Sequence, residues 1–215
     1  MLNKKPINIV IRTLILSDFF FFFSLGLLAP LYAVFVLENI SENIEVIGYA
    51  VSIYWISRLV STVPVSFFMD KLKGHRDEYY FLIFGTFFVS LVPVLLLFAT
   101  NALHIYFIQI FNGLSAAMAV QSWRILFTSY IDKSKMGFEW SLEDVGICIS
   151  TALSASVGAF IVSHFGFKAL FLSMFFLGLT STLILVTLFR VKKLFKIPIF
   201  HQTNETSPFK MDSIK

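Results

Sequence analysis

Charge is scarce in this chain: Asp, Glu, Lys and Arg together make up only 14% of its 215 residues, while 57% are hydrophobic and the mean hydropathy is +0.82. A soluble domain of that composition would leave too much apolar surface in water, so a soluble globular fold is excluded. Cysteine is nearly absent. The single Cys148 lies in an apolar run, which excludes an intrachain disulfide and leaves no thiolate cluster for zinc or iron-sulfur. The four histidines, at 75, 104, 164 and 201, are scattered. There is no P-loop, no Ser/His/Asp arrangement, no paired metal motif and no glycine-rich phosphate cradle, so the sequence supports neither an enzyme nor a cofactor or metal site. The net charge of +4 does not indicate a nucleic-acid partner, because the basic residues sit between apolar runs, where they report membrane topology.

What the chain has in abundance is long apolar stretches. They fall at about 8–37, 46–69, 79–100, 103–128, 144–164 and 167–190, each long enough to cross a bilayer, which takes roughly 20 residues. Six spans and short connections account for a transmembrane domain over 1–192, followed by a polar, basic tail over 193–215. Lys4 and Lys5 precede the first stretch, but that stretch is too long for a cleaved signal peptide and reads as a retained helix. Of the 17 Lys and Arg, 15 fall on one side of the resulting zigzag; Lys168 falls on the other, and Arg58 lies within a span. The positive-inside rule makes the rich side cytoplasmic and both termini with it. The expectation is a multi-pass protein of the cell (inner or plasma) membrane. Tyr79, Tyr80, Trp123 and Tyr130 fit an interfacial aromatic belt, and the 27 phenylalanines read as lipid-facing or packing residues. The sequon at Asn204 falls in the cytoplasmic tail and reads as chance.

Two charges stand inside apolar runs, where an ionised group must pair, face water or take up a proton. Asp18 is the candidate for proton coupling or substrate contact; its alternative is a plain pair with Arg12 near the interface. Arg58 sits midway along the second run, too deep to snorkel, and needs an acceptor. An Asp18 to Arg58 pair that opens when a proton or substrate arrives is the sharpest expectation, beside a purely structural pair or Arg58 bonded to carbonyls. Glu139, Glu143 and Asp144 read as complements to a helix N-terminus. Gly146, Ser150, Ser154 and Gly158 recur every four residues and share one helix face, a stripe that lets another helix approach closely.

The loop Ser66-Phe-Phe-Met-Asp70-Lys71-Leu-Lys-Gly74-His-Arg76 resembles the signature between the second and third helices of the major facilitator superfamily. Ser66 stands where that signature has glycine, one extra residue separates Asp70 from Gly74, and His75 replaces a basic residue. The exit of the fifth run, Phe165-Gly166-Phe167-Lys168-Ala-Leu-Phe171, is similar to the family's more closely, and Pro30-Leu-Tyr32 and the stretch from Gln109 to Gly113 are also similar to it. Gln109 takes the place where the family often has arginine, which removes a fixed charge there.

The resemblance covers roughly residues 8–192 and implies an all-α, six-helix half bundle of a transporter that normally has twelve helices, built from two inverted three-helix repeats. Gly26-Leu27 echoing Gly113-Leu114, and Gly48 to Ser52 echoing Gly146 to Ser150, are a trace of that repeat. It further implies a small-molecule substrate moved by alternating access, Asp18, Arg58 and Gln109 at the substrate or coupling site, and Asp70, Lys71, Gly74 and Arg76 as a cytoplasmic latch, with a solvated loop as the plain alternative. The Gly146 to Gly158 stripe would face a partner, either a second copy or a separate second-half chain; packing within the bundle is the other reading. The rival function is a non-transporting regulatory or assembly subunit, or the remnant of a longer transporter.

Overall fold

The computed structural model describes residues 7–71 and 75–190, and every regular element among them is helical. The expected tail over 193–215 lies outside the described residues. Helix α1, Ile9–Leu28, starts where the Asn8 side chain accepts the Val10 N–H at 3.1 Å, satisfying one of the donors a helix start leaves open. A 3-10 turn, Ala29–Leu31, accommodates Pro30 before α2, Tyr32–Asn39, so that Ile9–Asn39 forms one apolar span. Helix α3, Glu45–Lys71, and helix α4, His75–Leu97, follow, each carrying an internal proline. Helix α5, Ala102–Tyr130, is capped by Asn101, whose side chain accepts the His104 N–H at 3.0 Å.

The last helix, α6, runs over Met136–Thr187 and is broken at one residue. Gly166 has φ 76° and ψ 176°, a conformation closed to residues with a Cβ, and there the chain turns back. Contacts with α1 give the directions of the two arms. Along the first arm, Gly146 meets Ile15, Ser154 meets Gly26 and Gly158 meets Leu27, so it runs parallel to α1. Along the second, Met174 O accepts the Ser24 hydroxyl at 2.8 Å while Leu185 packs in the cluster of Val10 and Ile11, so it runs antiparallel. Among the described residues, five helices are long and apolar enough to cross a membrane, with α6 counted as one. The Phe165-Gly166 corner expected between two runs is this reversal.

The stretch from Ser129 to Glu143, expected as a polar connection, is mostly helical. Helix α5 continues to Tyr130 and α6 starts at Met136, leaving only 131–135 between them. The reason is packing: Glu139 is buried, its carboxylate accepting the Asp132 N–H at 3.0 Å, and Trp140 lies 4.6 Å from the Phe127 ring. The Gly146 to Gly158 stripe faces into the bundle. Ser150 and Ser154 are fully buried, and a Cβ on Gly158 would run into the Leu27 carbonyl, so the stripe lies against α1 and not on an outer face. Gly113 on α5 plays the corresponding part against α3, where a Cβ would sit 2.6 Å from Tyr54 O.

Helix α1 thus pairs with α6, α3 pairs with α5, and α4 packs against both α5 and α6. One apolar cluster gathers Leu27, Phe35, Ile105 and Phe171, and another gathers Ile11, Tyr79, Phe127 and Leu185. Between them the helices touch through small residues: Gly85 against Ala119 and Gly178 against Ser90. In lipid, where no hydrophobic force joins apolar helices, such close backbone contact is what holds them. The outward side of α3, with Trp55, Leu59 and Val63, is exposed.

Gly158→Val drives two methyls into the α1 backbone and should destabilise the fold by about 1 to 3 kcal/mol. Gly48→Ala, where a Cβ meets nothing within 4 Å and alanine is the better helix former, should not destabilise it. Thermal unfolding in detergent measures both; equal melting temperatures would refute the packing argument.

Candidate functional site

Helices α1 and α3 are held on opposite flanks, by α6 and α5 respectively, and the space left between them is a cavity of about 470 Å3. That is within the size range of small-molecule sites. Its wall is mainly apolar and aromatic, with Phe21 and Phe22 from α1, Val89 from α4, Trp123 from α5 and Trp140 from α6. Five charged residues reach the same space: Asp18, Arg58, Arg124, Glu143 and Asp144.

Asp18, half-buried on α1, meets Glu143 on the first arm of α6, and the two carboxyls are within hydrogen-bonding range. Glu143 is almost wholly buried, and both its oxygens lack a donor among the described residues. Carboxylates are acceptors only, so a bond between these two exists only when one of them carries a proton. The parallel packing of α1 on α6 brings them together. Sequence reasoning placed Glu143 at a helix start; the helix begins a full two turns earlier, at Met136, so this carboxyl is well inside it.

Arg58, at the middle of α3, is half-buried on the other wall. Its Nη1 donates to the Tyr54 hydroxyl at 3.4 Å and its guanidinium lies 5.2 Å from the Trp55 ring centroid. No carboxylate pairs with it among the described residues. The expected Asp18 to Arg58 pair is therefore replaced: both line one cavity, but Asp18 has gone to Glu143. Arg124, six residues before the end of α5, is exposed to the same cavity. Counting it only as a topology charge hid that. Beside it the Trp123 Nε1 is buried without an acceptor among the described residues, its ring stacked on Phe127 at 4.6 Å.

Gln109 is buried and donates to the Tyr32 hydroxyl at 2.8 Å, while its carbonyl accepts from Asn112 at 3.4 Å. Gln109, Tyr32, Asn112 and Tyr54 surround a second, smaller space of about 150 Å3, and Asn112 and Tyr54 also face the main cavity. This neutral network was legible only as Gln109 alone, since Tyr32 lies 77 residues away in sequence. Of the loop motif, Asp70 is exposed and the Lys71 Nζ lies 4.2 Å from the Phe67 ring centroid. Gly74 and the side chain of Arg76 lie outside the described residues.

Comparison with known proteins bears on what such a cavity serves. A protein described as an uncharacterized MFS-type transporter, from Methanocaldococcus jannaschii, is 23% identical to this chain over 159 residues. The match takes in 74% of this chain and 40% of that protein, so the chain spans about two fifths of its relative's length. The Major Facilitator Superfamily profile matches residues 14–208, from the first helix to beyond the last, and the chain belongs to that superfamily.

Proposed function

We propose that the chain moves a small solute across the cell membrane by alternating access, with the Asp18 and Glu143 carboxyls as its proton site. The observation that carries this is the carboxyl pair itself, set in the wall of a cavity bounded by five helices. Two ionised carboxylates in contact, away from bulk water, repel strongly; a single proton held between them removes a charge and supplies the missing hydrogen bond. A change in the distance between α1 and α6 then changes how tightly that proton is held, which is the coupling an alternating-access cycle needs.

The α6 reversal supports six crossings, since each arm, 136–165 and 167–187, exceeds the roughly 20 residues a bilayer requires. The use of Gly26 against α6 and Gly113 against α3 supports two inverted three-helix repeats, because each pairs the first helix of one unit with the second helix of the other. Both termini are cytoplasmic in this reading. A second bundle, from another copy of the chain or from a second-half polypeptide, closes the open side of the cavity, next to the exposed face of α3.

Proteoliposomes containing a pH-sensitive dye test the proton site. A transported solute should move protons in the wild type, and Asp18→Asn or Glu143→Gln should cut that movement at least about tenfold, equivalent to about 1.4 kcal/mol in the coupled step. Proton-coupled uptake that persists in the double variant would sink the proposal.

Crossing number is tested by labelling intact cells with an impermeant maleimide in a Cys148→Ser background. Asn43→Cys and Lys168→Cys should label, and Ser134→Cys and Arg190→Cys should not. Labelling of Arg190→Cys would mean that α6 crosses once.

A further inference from the structure

We infer that the cavity takes organic anions, with a carboxylate seated on Arg58 and an aromatic or apolar body lying against Phe21, Phe22 and Trp123. The inference deepens the transport reading above and rests on it for the cavity's purpose. Its basis is which charges in the cavity already have partners. Asp18 and Glu143 have each other. Among the described residues Arg58 has a phenol hydroxyl at 3.4 Å and the Trp55 ring at 5.2 Å, neutral contacts that leave a guanidinium at the middle of a membrane helix without a counter-ion.

Depth separates the charges as well. Asp144 lies in the third turn of α6 and Arg124 in the last two turns of α5, and both are exposed. Arg58 is half a helix from either end of α3 and is the innermost cation of the cavity. A guanidinium there is a planar, weakly hydrated donor fork, matched to a carboxylate by two parallel hydrogen bonds. Next to this donor fork the wall is rings, which suit a flat apolar body and give a small inorganic anion nothing to pack on. A cationic solute would instead bring a second positive charge to Arg58 and have to displace the proton from the carboxyl pair.

All three tryptophans report on this space: Trp123 and Trp140 line it, and Trp55 lies under Arg58. The test titrates 3-phenylpropionate, its neutral amide and 3-phenylpropylammonium into the full chain purified in detergent and follows tryptophan emission. The acid should bind at least about tenfold more tightly than either isostere, a gap of about 1.4 kcal/mol. Arg58→Gln should erase that preference, and Arg58→Lys should keep a weakened one, since the charge remains and the fork is lost. The inference is overturned if the ammonium binds as well as the acid, if no acid-dependent change occurs in the wild type, or if Arg58→Gln retains the preference. Should Arg58→Gln fail to fold, the isostere series on the wild type and Arg58→Lys decides. The titration needs no transport: acid binding without flux would sink the transport reading alone, and flux of the ammonium would sink the anion assignment alone.

Discussion

The close approach of α1 to the first arm of α6 fixes the register on which the site depends. Gly26 and Gly158 have no side chains to keep the backbones apart, and Ser154 is small enough to sit between them. Because the two helices run parallel, that contact near their far ends aligns their near ends as well, with Ile15 beside Gly146 and Asp18 beside Glu143. A slide of one residue along either helix would rotate a carboxyl by about 100° and separate the pair. The packing of apolar lipid-facing helices supplies no such precision, since side chains there have no preferred partner.

Much of this was readable from residue order, and the limits have a clear cause. Hydropathy located the long apolar helices because the bilayer imposes a length, and Gly166 marked the corner because only glycine tolerates the backbone found there. Asp18 and Arg58 announced themselves as charges among apolar neighbours. Glu143 did not, because Glu139, Asp144 and the lysines at 133 and 135 made its neighbourhood look like a loop. The contrary signal was present in Phe138, Trp140 and Leu142, apolar residues unsuited to a solvated connection. The partner of Asp18 was unreadable for a different reason: which helix lies alongside α1 is decided by small-residue contacts that look alike on α5 and α6 until the chain is folded.

The small-residue stripe on α6 shows the same limit from the other side. Its spacing correctly describes a face without bulk, but spacing says nothing about what fills the space. In the fold α1 fills it, and the exposed apolar face belongs to α3 instead, through Trp55, Leu59 and Val63. That face adjoins the cavity, since Arg58 in the cavity wall lies over the Trp55 ring.

The neutral Gln109 network adds no charge beside the cavity and leaves Arg58 as its innermost cation. With glutamine on α5 bonded to Tyr32 and Asn112, that wall satisfies its polar atoms internally and asks for no counter-ion. The cavity keeps its two kinds of group apart: a carboxyl pair on the α1 and α6 wall, and the Arg58 guanidinium on the α3 wall, with Arg124 nearer the end of α5. The helices bearing them do not pack on each other, so a movement that opens or closes the gap between α1 and α3 changes the field that each group feels from the other. On the transport reading proposed above, coupling between proton and solute would need no direct contact between Asp18 and Arg58, only a shared space whose width both of them sense.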